Sequence, residues 1–290
     1  MKHVAIIGAG WAGLAAAVKL VQSGRRVTLF EASRNLGGRA RRVSLDGQHL
    51  DNGQHILIGA YRSCLKLMRE VGVDEDAALL RAPLELRYAD GFRLHAANLP
   101  APLHLAAALL RSPLTWRSRL AILRFMARLQ AGGFRVDPEL SVTALLALRC
   151  RDEAACRYLW NPLCISALNT PPERASAAVF AAVLRDSLAG SRQDSDLLIP
   201  RTDLGALLPE PAARFIELHG GVIKLGVAVR HIAESADGFR LDDADETYSH
   251  VILATGPQHT GALLEDERLT QTRMIIEALD YQPIVTCYLQ

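Results

Sequence analysis

Residues 3–17, HVAIIGAGWAGLAAA, combine an apolar run, a glycine-rich turn and an alanine-rich segment of high helix propensity. This order predicts a buried parallel strand, a tight turn and a helix. Gly8 permits the turn, Gly10 lets the backbone approach a pyrophosphate, and Gly13 lets the helix pack closely on the strand. The stretch therefore predicts a dinucleotide-binding site at the amino end of the first helix.

A second strand is predicted over residues 26–30, and it leads into Glu31, eighteen residues after Gly13. An acid at this position accepts hydrogen bonds from the ribose hydroxyls of a dinucleotide. Trp11 and Ala12 lie inside the glycine turn and belong to the same predicted cofactor site, where we expect the Trp11 ring to pack over the turn. A glycine turn alone is weak evidence, but here the strand, the helix and the acid accompany it.

The composition argues against several classes of function. The 290 residues carry 33 Lys and Arg against 31 Asp and Glu, a net charge of +2, which argues against a nucleic-acid partner. No apolar run is long enough for a spanning helix, and the first strand leaves no room for a signal peptide, so a cytoplasmic protein is expected. The scattered cysteines lack C-x-x-C spacing and predict reduced thiols without a metal site: Cys64, Cys150, Cys156, Cys164 and Cys287.

A second glycine turn bears on which dinucleotide binds. It ends in Gly38 and is followed by Arg39, and the chain carries no second G-x-G-x-x-G for a nicotinamide domain. This arrangement resembles flavoproteins of the amine-oxidase and phytoene-desaturase type. The resemblance implies FAD, with the second turn against its pyrophosphate, the backbone of Val229 at the adenine, and Thr255 and Gly256 returning to the cofactor.

The resemblance also implies the fold class. We expect an α/β protein in which a two-part, Rossmann-type FAD-binding domain holds an inserted substrate domain, largely helical with an added β-sheet. The predicted boundaries are 1–75 and 197–260 for the two parts of the FAD-binding domain, 76–196 for the inserted helical domain and 261–290 for the start of a substrate-domain sheet. The chain is expected to end within a strand and to be incomplete at its carboxyl end.

Four local predictions concern segments near the expected cofactor. The run LDNGQH at 50–55 is predicted to open a helical stretch that continues through Glu70. Residues 222–229 and 281–290 are each predicted to form a strand, because both are rich in apolar and β-branched residues. A polar hairpin is predicted around Asp46-Gly47.

Longer runs are similar to one narrower family. They are LDNGQH at 50–55, WNPLC at 160–164 with ALNTPP at 167–172, and LRDS at 184–187 with DLLIP at 196–200. Together they resemble the squalene-associated FAD-dependent desaturases of bacterial hopanoid biosynthesis, understood as hydroxysqualene dehydroxylases. The resemblance implies reductive removal of the hydroxyl of hydroxysqualene to give squalene, with reduced FAD as the electron donor. Members of that family continue into a carboxyl-terminal glycine motif that is absent here.

The resemblance places the loop from Asp51 to His55 beside the flavin ring. Asp51 and His55 are the candidate catalytic residues, since the departing hydroxyl needs a proton and a histidine can supply one near neutral pH. Gly53, between them, is a candidate cofactor contact. The alternative is that Asp51 and His55 cap a helix and orient the backbone without exchanging a proton.

The segment from residue 99 to 130 allows two interpretations. It carries leucines, Trp116 and Phe125 at helical spacing, with arginines between them. Such a basic amphipathic stretch can lie in a membrane interface, or its leucines can face a core while the arginines are solvated. A terpenoid substrate stored in the bilayer favours peripheral contact with the inner face of the cytoplasmic membrane. The arginines are Arg111, Arg117, Arg119, Arg124 and Arg128.

Other functions stay open at this point. The same scaffold serves carotenoid-type desaturases and amine oxidases, because a shared fold does not determine the direction of electron flow. A truncated, non-catalytic flavoprotein remnant is an alternative of another class. The donor that reduces the flavin is not identified by the sequence.

Overall fold

A computed structural model describes residues 2–242 and 244–289. The strands in chain order are β1 His3–Ile7, β2 Arg26–Glu31, β3 Arg42–Leu45, β4 Gln48–Asp51, β5 Leu57–Ile58, β6 Leu79–Ala82, β7 Glu85–Arg87, β8 Arg93–His95, β9 Leu197–Pro200, β10 Val222–Leu225, β11 Ile232–Ser235, β12 Gly238–Leu241, β13 Thr247–Tyr248 and β14 His250–Leu253. The α-helices are α1 Trp11–Gln22, α2 Arg62–Glu70, α3 Glu75–Ala78, α4 Leu103–Arg111, α5 Trp116–Ala131, α6 Val142–Arg149, α7 Glu153–Ala155, α8 Asn161–Leu168, α9 Ala177–Leu188, α10 Leu204–Leu207, α11 Pro209–Leu218, α12 Pro257–Thr260 and α13 Thr270–Glu277.

A four-stranded parallel sheet in the order β10-β2-β1-β14 forms the centre of the nucleotide-binding region. In its middle, Ile6 of β1 lies opposite Leu29 of β2 and Ile252 of β14. All residues of β1 are buried, as expected for a strand covered on both faces. The apolar run of the sequence thus becomes the middle strand, and α1 connects β1 to β2.

The two faces of β1 belong to separate cores because successive side chains point to opposite sides of a sheet. Ile6 packs on the side of α1 and α11, where Leu14 and Ile216 are fully buried. Ala5 packs on the other side with Tyr248 and Leu241, next to the antiparallel sheet β11-β12-β13. The sheet is therefore sandwiched between helices and a second sheet, which confirms the predicted α/β class with a Rossmann-type centre.

The helices α4 to α9 and the hairpin β7-β8 enclose a core of their own. Its largest fully buried side chains are Trp160, Phe125 and Phe180. The rings of Phe125 and Trp160 have centroids 4.8 Å apart. Hydroxyl side chains cap these helices, as where Ser141 Oγ accepts from the Ala144 amide at 3.2 Å. The helical region is thus packed independently of the parallel sheet.

A small antiparallel sheet in the order β5-β9-β6 joins the chain segments on either side of the helical region. Beside it, the carboxylate of buried Asp194 accepts from Arg62 Nη2 at 2.7 Å and from the Ser191 amide at 2.6 Å. Burial raises the pKa of Asp194, but the hydrogen bonds from Arg62 and Ser191 outweigh it and lower the pKa. The boundaries at residues 75, 196 and 260 stay predictions.

The local predictions have mixed outcomes. The hairpin around Asp46-Gly47 is confirmed as β3 and β4. The helical stretch predicted from residue 50 is wrong over its first half, because Leu50 and Asp51 end β4 and only residues 62–70 are helical. The strand predicted over 222–229 ends at Leu225, where the left-handed Gly226 turns the chain.

The strand predicted over residues 281–290 is also wrong for 281–289, the part that the structure describes. This segment has no neighbouring strand to pair with among the described residues. Its alternating residues Gln282, Ile284, Thr286 and Tyr288 line the same cleft as the glycine turn. The apolar and β-branched residues that predicted a strand therefore line the cleft instead of pairing with a strand among the described residues.

Candidate functional site

A cleft of about 1560 Å³ opens at the carboxyl ends of β1, β2 and β14. This edge is where parallel α/β sheets bind ligands, because the loops that follow the strands converge there. The cleft exceeds the roughly 300–1,000 Å³ of a typical small-molecule site, so an extended ligand can lie in it. Its floor is the turn between β1 and α1.

The glycines of this turn have different tasks. A Cβ on Gly8, whose φ is +103°, would lie 2.7 Å from the Ala254 carbonyl oxygen of the neighbouring strand end. A Cβ on Gly13 would lie 1.9 Å from the Gly8 carbonyl oxygen. A Cβ on Gly10 would meet nothing nearer than Gly38 Cα at 3.9 Å. Gly8 and Gly13 therefore serve the packing of the fold, whereas Gly10 leaves open space in the cleft.

The amino end of α1 faces the same space. Gly10 is the N-cap and provides no side-chain hydrogen bond to the first turn, in which Trp11 and Ala12 line the cleft. The first amides of a helix lack partners within the helix and, with the helix dipole, form an anion site. Trp11 Nε1 donates to the Ala40 carbonyl at 2.9 Å, which ties the turn to the loop after β2. The geometry fits a pyrophosphate.

Glu31 stands at the end of β2, as predicted. Its Oε2 accepts from the Ala9 amide at 2.7 Å and its Oε1 from the Ser33 amide at 2.8 Å. Each carboxylate oxygen has a further lone pair, so Glu31 can accept from ribose hydroxyls as well. The Val227 amide donates to the Glu31 carbonyl at 2.9 Å, which brings Val229 to the cleft beside this acid.

The second glycine turn lies directly against the first. The Gly37 amide donates to the Ala9 carbonyl at 2.9 Å, and a Cβ on Gly38 would lie 3.1 Å from Gly10 Cα. The next residue, Arg39, lines the cleft and has an exposed side chain. Arg41 also lines the cleft, and its buried Nε has no hydrogen-bond partner in the part of the chain described. A guanidinium with an unsatisfied buried Nε fits an anionic ligand.

The loop from Asp51 to His55 forms another wall of the cleft. Asp51 Oδ1 accepts from the amide of Leu204, the first residue of α10, at 2.8 Å. His55 Nδ1 faces the Gly53 carbonyl at 2.9 Å, so Nδ1 carries the hydrogen and Nε2 is the atom that can exchange a proton. Tyr288 donates its hydroxyl to the Asp51 carbonyl at 2.7 Å. Asp51 thus has the capping role left open by the sequence, whereas Nε2 of His55 makes no hydrogen bond within the part of the chain that the structure describes.

The return strand completes the floor. Thr255 and Gly256 follow β14 and line the cleft next to the glycine turn. Thr255 Oγ1 lies 2.8 Å from Thr260 Oγ1, which ties the last residue of α12 to the end of the return strand. The helical region contributes Asn169, whose left-handed conformation, with φ +49°, ends α8 at the cleft.

The predicted site residues therefore lie together, except that Gly13 lies beneath the cleft rather than in its wall. Arg41 and Asn169 are cleft residues that the sequence did not assign to the site, Asn169 having been interpreted as a turn residue beside prolines. Four arginines, Arg34, Arg39, Arg41 and Arg42, follow the second predicted strand. This local basic cluster is a usable signal for Arg41. Asn169 precedes Thr-Pro-Pro and is typical of a turn, so its place in the cleft had no signal of its own.

Two further structural findings hold for residues 2–242 and 244–289. Within them, no group of three or more His, Cys, Asp or Glu side chains is arranged to hold a metal ion. Over the same residues, every helix is too short or too polar to span a bilayer.

Known proteins are similar to this chain in sequence and in fold. The family described as "Flavin containing amine oxidoreductase" matches residues 11–290. Hydroxysqualene dehydroxylase of Rhodopseudomonas palustris is 30% identical over 97% of this chain and 69% of its own length, and that of Sinorhizobium fredii is 28% identical over 96% and 67%. A probable zeta-carotene desaturase of Synechococcus elongatus is 27% identical over 79% of this chain and 51% of its own length.

Solved structures show the same fold. An oxidoreductase from Methanosarcina mazei superposes with a TM-score of 0.70 at 19% identity, covering 96% of this chain and 65% of its own. A putrescine oxidase bound to putrescine gives 0.66 at 19% identity, covering 94% and 63%. The chain thus spans about two thirds or less of the relatives' length. A flavin is the cofactor that the matched family's description names. The chain belongs to the flavin containing amine oxidoreductases and, among them, to the hydroxysqualene dehydroxylases.

Proposed function

We propose that the flavin of this protein is FAD. FAD contains a pyrophosphate and an adenosine ribose, and the cleft offers a partner for each. The space beside the backbone of Gly10 and the first amides of α1 can receive the pyrophosphate, and the Glu31 carboxylate can accept hydrogen bonds from the ribose. Arg41, with its unsatisfied buried Nε, adds positive charge to the same cleft.

The cofactor's identity can be tested directly. Acid-released cofactor from the purified protein, weighed by mass spectrometry, is expected to have the mass of FAD. Release of FMN or of a nicotinamide dinucleotide would contradict the proposal.

We further propose that the whole protein reductively removes the hydroxyl of hydroxysqualene and gives squalene. The observation that supports this reaction is the similarity to hydroxysqualene dehydroxylases along nearly the full chain, 97% of it for the Rhodopseudomonas palustris protein. When bound, the flavin supplies the electrons for the reduction. A separate electron donor must reduce the flavin between turnovers.

In this proposal the chain's own residues handle the proton. His55 holds one on Nδ1 against the Gly53 carbonyl and can exchange another at Nε2, which supplies the proton that the departing hydroxyl needs. Asp51 is a positioning residue, because its carboxylate holds the Leu204 amide and its carbonyl holds Tyr288. Both contacts keep the loop that carries His55 in the cleft wall.

Product analysis separates this reaction from its alternatives. The purified protein, reduced under anaerobic conditions, is incubated with hydroxysqualene, and the extract is analysed by gas chromatography and mass spectrometry. Squalene is the expected product. Parallel incubations of the oxidised protein with phytoene and with putrescine test desaturation and amine oxidation. Turnover of either in place of hydroxysqualene would contradict the proposal.

A hydrophobic terpenoid must reach this site from a membrane, and we propose that α5 contacts the membrane surface. Trp116 and Leu123, seven residues apart, lie on one face of the helix and are 68% and 50% exposed. Arg117 and Arg124 flank that face, and the Arg117 guanidinium lies 5.6 Å from the Trp116 ring centroid. An apolar stripe beside basic side chains suits the interface of an anionic bilayer.

Vesicle sedimentation tests this surface. Phosphatidylglycerol vesicles are expected to bind the protein more strongly than phosphatidylcholine vesicles, by about 1 kcal/mol for each arginine near the surface. The double variant Trp116→Ser, Leu123→Ser is expected to lose binding. The matched control is Leu218→Ser, since Leu218 is 85% exposed on α11 in the other region. Equal binding by the double variant and the control would contradict the proposal.

A further inference from the structure

Helix α4 buries a histidine at its amino end. His104 is 1% exposed, and its imidazole faces a single 3₁₀ turn, Arg192–Ser195, that precedes β9. Another face of α4 is open to solvent, because Leu103 and Leu110, seven residues apart, are 56% and 69% exposed. The buried face, which carries His104, therefore attaches this helix to the rest of the protein.

The hydrogen bonds around His104 determine which ring nitrogen carries the hydrogen. Ser195 Oγ donates to the Arg192 carbonyl at 2.9 Å, so the one hydrogen of this hydroxyl is used. His104 Nε2 lies 3.4 Å from the same Oγ, which can only accept, so Nε2 is the nitrogen that donates. Nδ1 then has no hydrogen. It is buried and has no hydrogen-bond partner among the described residues.

Protonation of His104 would add a second N–H at Nδ1. This donor would face no acceptor within the described part of the chain, and the imidazolium charge would be buried. A buried donor without an acceptor is costly, and a charged one is more costly than a neutral one. The site therefore fits the neutral ring and not the protonated one.

The nearest charged groups also favour the neutral ring. Burial lowers the pKa of His104 below its ordinary value, the Arg192 guanidinium lowers it further, and the Asp196 carboxylate opposes them. That carboxylate is buried and already lies 3.3 Å from Arg81 Nη1 and 3.9 Å from Arg192 Nη2. Asp196 therefore offsets the other two effects only in part.

The remaining charges around α4 are paired with one another. Asp194, in the same 3₁₀ turn, binds Arg62 at 2.7 Å. The β7-β8 hairpin packs on α4 as well, and its Glu85 pairs with Arg87 and Arg93 and lies 3.5 Å from His95 Nδ1. Since these carboxylates already have cationic partners, a proton on His104 would add a positive charge that nothing nearby is free to neutralise among the described residues.

We propose that His104 is a pH-dependent anchor, which attaches the amino end of α4 to the Arg192–Ser195 turn when neutral and releases it when protonated. In water both N–H groups of the protonated ring find acceptors, so protonation favours the released state. Because the folded protein lowers the pKa of His104, the attachment is complete above about pH 6.5 and is lost as the pH falls through the lower folded value.

Release of this end would free apolar surface next to the proposed membrane face. Leu103 is already exposed beside His104, and α5, with Trp116, follows α4 in the chain. Acid is therefore expected to strengthen the contact with a membrane surface. This consequence rests on the membrane contact proposed for α5, whereas the anchor itself does not.

Hydrogen exchange measured by mass spectrometry tests the anchor without any membrane. The flavin-loaded protein is exchanged at pH 7.5 and at pH 5.5, with times adjusted to equal intrinsic exchange. At pH 5.5 a solvated histidine is about ten times more often protonated than neutral, so peptides covering residues 97–111 should exchange up to about tenfold faster. Peptides covering α9 should keep their rate. Equal protection of α4 at both pH values would overturn the proposal.

A variant assigns the effect to one ring. His104→Gln cannot be protonated but keeps an N–H donor for Ser195, so its α4 peptides should exchange alike at both pH values. His250→Gln is the matched control, because His250 is exposed on β14, and it should retain the pH dependence of the parent. Circular dichroism checks that both variants are folded. A pH dependence that persists in His104→Gln would contradict the role given to His104.

Sedimentation with phosphatidylglycerol vesicles tests the consequence for the membrane. The parent and His250→Gln should bind more strongly at pH 5.5 than at pH 7.5, and His104→Gln should lose this difference. A difference that His104→Gln retains would contradict the coupling of the anchor to the membrane. Absence of binding at both pH values would contradict the membrane contact of α5, while the exchange result still decides the anchor.

Discussion

The parallel-sheet region and the helical region form their proposed binding surfaces from different chemical groups, the backbone in the first and side chains in the second. In the sheet region the backbone makes the cleft, since Gly8 and Gly13 allow close packing and Gly10 leaves space. In the helical region the exposed side chains of Trp116 and Leu123 make the proposed membrane face, on an ordinary helix. A site made by backbone can be recognised in a sequence motif, whereas a surface made by side chains depends on which of them the core has buried.

The largest effect is expected in the helical core. Trp160→Ala removes a fully buried indole and should lower the free energy of unfolding by about 3–5 kcal/mol. Urea denaturation measures the change. Trp116→Ala is the matched control, because that ring is 68% exposed and its loss should change stability by less than about 0.5 kcal/mol. Similar decreases in the free energy of unfolding in the two variants would contradict the assignment of Trp160 to the core and Trp116 to the surface.

A smaller loss of stability is expected in the sheet region. Gly13→Ala places a Cβ 1.9 Å from the Gly8 carbonyl oxygen, so α1 must move away from the turn. Overpacking of this kind costs about 1–3 kcal/mol, and thermal unfolding should detect it. A variant as stable as the parent would mean that Gly13 does not hold the helix against the turn.

Gly10→Ala should separate binding from folding. The added Cβ would lie 3.9 Å from its nearest neighbour, and the φ of −69° suits alanine, so the free energy of unfolding should not change. The Cβ would enter the cleft, so FAD affinity should fall about tenfold, or 1.4 kcal/mol. Equilibrium titration of the apoprotein with FAD measures the affinity. Gly132→Ala is the control, with a φ of −85° at the end of α5, outside the cleft. Unchanged affinity in Gly10→Ala would contradict the role given to this glycine.

The smallest effect concerns the junction between the two regions. Because hydrogen bonds hold the pKa of Asp194 below its ordinary value, its stabilising contribution is present above about pH 3.9 and is lost as the pH falls through the lower folded value. Acid unfolding of Asp194→Asn should therefore show a weaker pH dependence in that range. Asp46→Asn, in the exposed turn between β3 and β4, is the control and should follow the parent curve.

The same contrast explains how much could be predicted from the sequence. Gly10 and Glu31 were predicted at the cleft from the glycine turn and the acid that follows the second strand, and Thr255 was predicted there from the resemblance to flavoproteins. The helix predicted from residue 50 was wrong because Leu50 and Asp51 pair with β3 as the last residues of the β3-β4 hairpin. Asp51 also bonds to the Leu204 amide, 153 residues away, and no local pattern records that contact.

The segment from 99 to 130 shows the limit most clearly. Its apolar residues share one helical pattern in the sequence, yet Phe125 and Leu129 are fully buried while Trp116 and Leu123 are exposed. Periodicity identifies the faces of a helix, but only the packing of neighbouring helices determines which apolar side chains reach solvent.

A structure of the protein crystallised with FAD tests the central claim most directly. The account predicts the pyrophosphate at the amino end of α1, with its oxygens next to Gly10 and the amides of Trp11 and Ala12, and the adenosine ribose at Glu31. A flavin bound elsewhere, or one whose phosphates lie away from this turn, would contradict it.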